Sequence, residues 1–112
     1  MDKSFVSSIN IAVRDTELDP YRIAHHSNYA IWSELGVQDY LRGAGAGSDY
    51  DVKHFFCKYI ASAKRGDEIN IRTRLKKEED KCLIFAQEML VNMKLIVKSE
   101  ITIELSVKED GQ

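Results

Sequence analysis

Proline occurs once in this chain, at Pro20, and cysteine only twice, at Cys57 and Cys82. Long apolar runs are missing. None approaches the roughly 20 residues that a membrane-crossing helix needs, so no membrane span is expected. The N-terminal stretch MDKSFVSSINIAV has neither a long apolar core nor a small-residue cleavage site, which argues against a signal peptide. An excess of one charge is also missing. Lys plus Arg number 16 and Asp plus Glu 18, a formal net charge of −2, so nothing advertises nucleic acid or an anionic membrane as partner. The two cysteines have no metal-type spacing and read as reduced thiols of a cytoplasmic protein, with no metal site. The pair His25–His26 is no better as a metal site, because adjacent side chains diverge and no third ligand is suitably spaced. The run GAGAG at 43–47 lacks a phosphate-loop pattern and reads as a connector.

What is present is an ordinary globular mix in 112 residues, 44% hydrophobic and 30% charged, enough for one domain over 1–112 with one core. Residues 5–15 place Ile9, Ile11 and Val13 on one face, which is strand periodicity. Residues 28–42 carry Ile31, Trp32, Leu35 and Leu41 at helical spacing, with Ser27 or Asn28 as cap and the glycine run as terminator. Four extended segments follow. Residues 50–62 and 67–77 come first. Residues 82–92 are apolar on both faces, as a central strand covered on both sides would be. Residues 94–107 alternate most clearly: Leu95, Val97, Ile101, Ile103, Leu105 and Val107 point one way, and Lys98, Glu100, Thr102, Glu104 and Ser106 the other. VNMK (91–94) and EEDK (78–81) are the hairpin turns. The order is β-α-β-β-β-β. One antiparallel sheet and one long apolar helix pack most economically with the sheet curved around the helix, an α+β architecture.

The stretch 13–34, VRDTELDPYRIAHHSNYAIWSE, resembles the signature of the hotdog-fold acyl-CoA thioesterases of the hydroxybenzoyl-CoA type, the group that also holds the small Tol-Pal-associated thioesterases. Val13, Arg14, Glu17, Asp19, Ile23, His25, His26, Asn28, Tyr29, Trp32 and Glu34 fall in register without a gap. YIASAKRGDEINI at 59–71 resembles the family's second conserved segment. Two positions depart from the pattern: Leu18 stands where Thr or Cys is usual, and Arg22 where glycine is usual. The resemblance implies a hotdog fold, an antiparallel sheet wrapped around one long central helix.

It also implies hydrolysis of an acyl-CoA or acyl-carrier-protein thioester without a cofactor. Such a reaction needs an activated water or carboxylate nucleophile and donors for the carbonyl oxyanion. A carboxylate beside a helix N-terminus, whose first amides lack intrahelical partners, meets both needs. The resemblance assigns Asp19 as nucleophile or general base and the backbone N–H near His26 as oxyanion donor. His26 also has a side-chain reading, binding substrate or orienting water, beside a plain packing one. Tyr29 and Asn28 anchor the helix start and are candidates to bind substrate. Arg22, Lys58, Lys64 and Arg65 are candidates for the coenzyme phosphates, with plain solvated charges as the alternative. Glu34 is expected to pair with a basic neighbour.

Two other readings stand beside hydrolysis. One is an acyl-thioester-binding hotdog protein whose altered loop does not cleave. The other is a hotdog hydratase or dehydratase, for which His26 and Glu34 are the residues on offer. A small sheet around one helix leaves its strand edges open, so a homodimer joined edge to edge, or a tetramer built from it, is expected.

Overall fold

The computed structural model describes residues 3–47 and 49–106. Its elements follow the predicted order. Strand β1 is Val6–Ala12, helix α1 Ser27–Gly43, β2 Tyr50–Tyr59, β3 Glu68–Glu79, β4 Cys82–Val91 and β5 Lys94–Leu105. A single 3-10 turn, Asp15–Glu17, lies between β1 and α1. The five strands form one antiparallel sheet in the order β1-β3-β4-β5-β2. The fold is α+β, a sheet wrapped around one helix. Among the described residues no helix is long and apolar enough to cross a membrane.

Strand β4 takes the central place that its apolarity predicted, but only one of its faces is covered. Leu83, Phe85, Gln87 and Met89 are buried toward α1, whereas Ile84, Ala86 and Leu90 on the other face are half-buried. Strand β5 alternates as predicted, with Val97, Ile101 and Ile103 buried; Val107 lies outside the described residues.

Both predicted turns are present. Val91 pairs with Lys94 across Asn92 and Met93, both left-handed at φ 50° and 66°. Two positive φ values are what a tight hairpin matching the sheet's twist requires, although methionine takes the conformation less readily than glycine. Asp80, at φ 51°, occupies the other turn.

The helix buries Trp32 and Leu41 as predicted, but not Ile31 and Leu35. Ile31 and Leu35 are 56% and 38% exposed, while Tyr29, Trp32, Ser33, Gly36, Val37, Tyr40 and Leu41 are buried. Glycine decides this. A Cβ on Gly36 would come within 2.6 Å of Thr73 Oγ1 and 2.9 Å of Ile71 Cγ2, so the helix lies against the sheet at this point with no room for a side chain.

Polar residues sit at the same contact. Gln87 Nε2 donates to the Ser33 carbonyl (2.8 Å) and to Thr73 Oγ1 (3.0 Å). Its Oε1 accepts from Ser99 Oγ (3.0 Å) and from Ser33 Oγ. All four residues are buried. This belt divides two apolar clusters. One gathers Tyr29 and Trp32 with Ile69, Ile71, Met89 and Val97 near the helix start. The other gathers Val37, Tyr40 and Leu41 with Phe85, Ile101 and Ile103 near its end.

Strand β2 forms one edge of the sheet. Its register against β5 shifts between Val52 and His54, which leaves Lys53 as an extra residue. The shift returns Val52 to the inner-facing set of Phe55, Cys57 and Tyr59, opposite Ile103, Ile101, Ser99 and Val97. Among the apolar residues, only Phe56 of this strand points to the outer face, opposite Glu100.

Candidate functional site

The loop from Val13 to His26 is sewn to the loop from Ile60 to Asp67. Val13 N–H donates to the Asp67 carbonyl and Ala24 N–H to the Ala63 carbonyl, both at 2.9 Å. Within the first loop Leu18 bridges Ala24, and Ile23 bridges Lys64 in the second. The chain therefore doubles back at Asp19-Pro20-Tyr21-Arg22, a turn closed by Arg22 N–H to the Asp19 carbonyl at 2.9 Å.

Asp19 is half-buried at the head of this turn. Its Oδ1 accepts from the N–H groups of Tyr21 (2.8 Å) and Ile23 (3.3 Å). Among the described residues nothing donates to Oδ2. One oxygen is thus fixed by backbone while the other remains available for chemistry. Arg22 ends the turn, exposed, at φ 64°. The positive φ gives the physical reason for glycine in the family pattern: the position is left-handed, and arginine pays a steric cost there.

Glu17 organises the loop from beneath. Its carboxylate accepts from Arg14 N–H (2.8 Å) and from the Trp32 indole N–H (3.2 Å), and the Arg14 guanidinium lies alongside at 3.3 Å. Burial works against its charge, but these donors and the Arg14 cation outweigh it and hold the carboxyl below its usual range. The Glu17 carbonyl accepts from His25 N–H (2.8 Å) and Asn28 Nδ2 (2.8 Å), tying the loop to the helix start.

The helix begins without the side-chain cap expected of Ser27 or Asn28. His26 occupies the N-cap position in helical conformation with no side-chain cap. Instead, Ser27 N–H donates to His25 Nδ1 at 3.1 Å, while the side chain of Asn28 reaches back to Glu17. His25 is therefore structural. The N–H of His26 meets no acceptor among the described residues. An amide left free at a helix N-terminus carries the positive end of the helix dipole and suits a developing negative oxygen.

The His26 ring stacks on Tyr59 of β2, centroids 4.3 Å apart and planes 12° from parallel. Tyr29 meets Tyr59 edge-on at 5.2 Å. Burial, with the Cys57 thiol nearby, pushes the Tyr59 pKa up to about 12, so the hydroxyl stays neutral across ordinary pH. The sequence reading singled out neither Tyr59 nor Cys57 for the site. Strand parity places both inward, but the meeting of Tyr59 with His26 depends on how β2 lies against β5.

The other predicted residues divide. Tyr29 is 1% exposed and its hydroxyl accepts from Ala63 N–H at 3.1 Å, so its ring forms wall and its oxygen serves the loop. Asn28 serves the loop likewise. Lys64 and Arg65 are exposed on the second loop; Arg65 is already paired with Asp15 at 2.8 Å, whereas the backbone of Lys64 is held by Asp67. Glu34 lies apart from this loop, and its partner is a hydroxyl, Tyr50 Oη at 3.0 Å, rather than the expected base. Cys57 and Cys82 are free and half-buried. Among the described residues no group of His, Cys, Asp and Glu is arranged to hold a metal.

No protein-family model matches the chain, and no curated protein matches it. Solved structures do. A probable thioesterase from Bartonella henselae superposes with a TM-score of 0.84 at 20% identity, covering 96% of this chain and 94% of its own. The 4-hydroxybenzoyl CoA thioesterase from Pseudomonas sp. strain CBS-3 gives 0.86 at 12% identity, covering 95% and 88%. The DHNA-CoA thioesterase from Staphylococcus aureus gives 0.84 at 22% identity, covering 95% and 76%. At these identities the likeness is one of backbone, and it establishes that the chain has the hotdog fold of these thioesterases.

Proposed function

We propose that the protein is an acyl-CoA thioesterase in which Asp19 and the His26 amide carry the chemistry. The observation behind this reading is the pairing of a half-buried carboxylate, one oxygen free, with an unpartnered helix-start N–H on the same closed loop. The thioester carbonyl accepts the His26 N–H. Asp19 either attacks the carbonyl carbon, giving an anhydride that water cleaves, or takes a proton from the attacking water. The oxyanion that forms is held by the amide, and collapse expels the coenzyme thiolate, which takes up a proton. Acyl-CoA as substrate class is supported by neighbours of the same fold that are thioesterases of 4-hydroxybenzoyl CoA and DHNA-CoA. The resemblance of residues 13–34 points to the small Tol-Pal-associated branch. A carrier-protein thioester is the alternative substrate, and Arg22 and Lys64, exposed on the two joined loops, are candidates to meet a phosphate.

The test is turnover of Asp19→Asn on a panel of acyl-CoAs, with folding verified by thermal melts. Loss of the carboxylate is expected to cut kcat at least about a hundredfold with binding kept. His26→Ala is expected to cost less, because its donor is backbone. A folded Asp19→Asn that hydrolyses as fast as the parent overturns the assignment and leaves a binding protein.

Assembly is part of this reading. Strand β2 is an open edge, and Val52, Tyr59 and Ile60 are 42%, 42% and 51% exposed. An unpaired apolar edge is a template for another strand. The expected species is a homodimer joined through β2, or a tetramer of such dimers. Sedimentation showing a stable monomer at micromolar concentration overturns it.

A further inference from the structure

The outer face of the sheet, turned away from α1 and the thioester site, carries a cavity of about 620 Å³. That volume falls in the range of small-molecule sites, in a hollow half open to solvent. Its floor follows from the register. One row across the sheet reads Arg72, Glu88, Lys98, Lys58, and the next reads Arg74, Ala86, Glu100, Phe56. Ala86, small and central, makes the hollow. With Lys76 at the rim, five basic side chains face two carboxylates, on a chain whose formal net charge is −2. One carboxylate, Glu100, is taken up by Lys76 at 2.8 Å. Lys58 and Lys98 stand directly opposite each other across β2 and β5, a like-charge pair that costs stability. Phe56, at the end of the second row, is 70% exposed.

A concentrated positive hollow with an exposed aromatic face at its edge matches one ligand chemistry: phosphates beside a stacking ring. A second copy of the same face fits poorly, since two such surfaces repel. We propose that this hollow binds a nucleoside polyphosphate, the phosphates held by Arg74, Lys98 and Lys58 and the base laid on Phe56. The nucleotide is either free or the nucleotide end of a coenzyme, and binding itself does not depend on the thioesterase reading.

The experiment is calorimetric titration of the full chain with ADP, pyrophosphate and adenosine at two salt concentrations. ADP is expected to bind more tightly than either fragment and to weaken as salt rises. Arg74→Gln with Lys98→Gln is expected to weaken ADP about tenfold or more, the scale of a lost charge-assisted contact. Phe56→Ser is expected to weaken ADP while leaving pyrophosphate unchanged. The source is then read from kinetics. If the double variant raises KM for an acyl-CoA but not for the matching acyl-pantetheine, the nucleotide is the coenzyme's own. If neither KM moves, it is a free ligand. Absence of ADP binding at millimolar concentration, ADP binding that survives the double variant, or a change of oligomeric state in that variant overturns the proposal; the last would make the face a contact between copies.

Discussion

Replacing Gln87 by leucine removes the hub of the buried polar belt while nearly conserving volume. Four hydrogen bonds are lost, two to Oε1 and two from Nε2. At about 0.5–1.5 kcal/mol each, the gross loss is roughly 2–6 kcal/mol. The Ser33 carbonyl retains its intrahelical partner, and leucine recovers some apolar burial, so about 3 kcal/mol of destabilisation is expected. For a domain of this size that corresponds to a fall in Tm on the order of 10–20 °C. Most of the loss comes from hydroxyls of Ser33, Thr73 and Ser99 stranded beneath the helix. Adding Ser33→Ala, Thr73→Val and Ser99→Ala to Gln87→Leu is therefore expected to restore much of it, since an apolar core of similar volume leaves no polar group unpaired. Thermal and urea melts of the single and quadruple variants measure both effects. A single variant within about 1 kcal/mol of the parent, or a quadruple variant less stable than the single, would refute the reasoning.

Two further outcomes follow from the site loop. Glu17 has a folded pKa below its usual value, so its stabilising effect is present above the ordinary carboxyl range and is lost as pH falls through the depressed folded value. Glu17→Gln is accordingly expected to be less stable than the parent at pH 7 and to converge with it toward pH 3, as urea melts across that range would record. Arg22→Gly relieves a left-handed strain of about 1–2 kcal/mol and incurs about 0.5–1 kcal/mol of chain entropy, so a small rise in Tm is expected. Should Arg22 meet the coenzyme, KM rises with kcat unchanged; a lower Tm would contradict the backbone argument.

The strand order along the chain was legible because β1, β3 and β5 alternate with period two, and β4 declared its central place by its apolarity. The order across the sheet was not, since pairing β5 between β4 and β2 depends on contacts far apart in sequence. The helix shows the limit of pattern reading most clearly. Ile31 and Leu35 look like core by hydropathy, yet Gly36 and Ser33, which look like surface, face the sheet because close approach and a polar belt demand small residues there. At the candidate site, Asp19, Arg22 and His26 were singled out through the ungapped resemblance, and the left-handed φ of Arg22 supplies the physical reason behind one departure from it. Glu17 stood in that register without a role, although its acceptance of Arg14 and Trp32 is what holds the loop in shape. Tyr59 was invisible as a neighbour of the candidate site because nothing local in a strand reveals which ring it will meet.

The stack of Tyr59 on His26 has a consequence for how assembly and chemistry communicate. Tyr59 belongs to the open edge strand, and His26 bears the free amide at the start of α1. A strand that pairs with β2 fixes the twist and position of that edge, and with it the ring against which His26 rests. The amide's aim is then a property of the assembly as much as of the single chain. If the proposed function and the proposed pairing through β2 both hold, two neighbouring chains tune one another's oxyanion site through a single aromatic contact, and activity per chain depends on how many chains have found a partner.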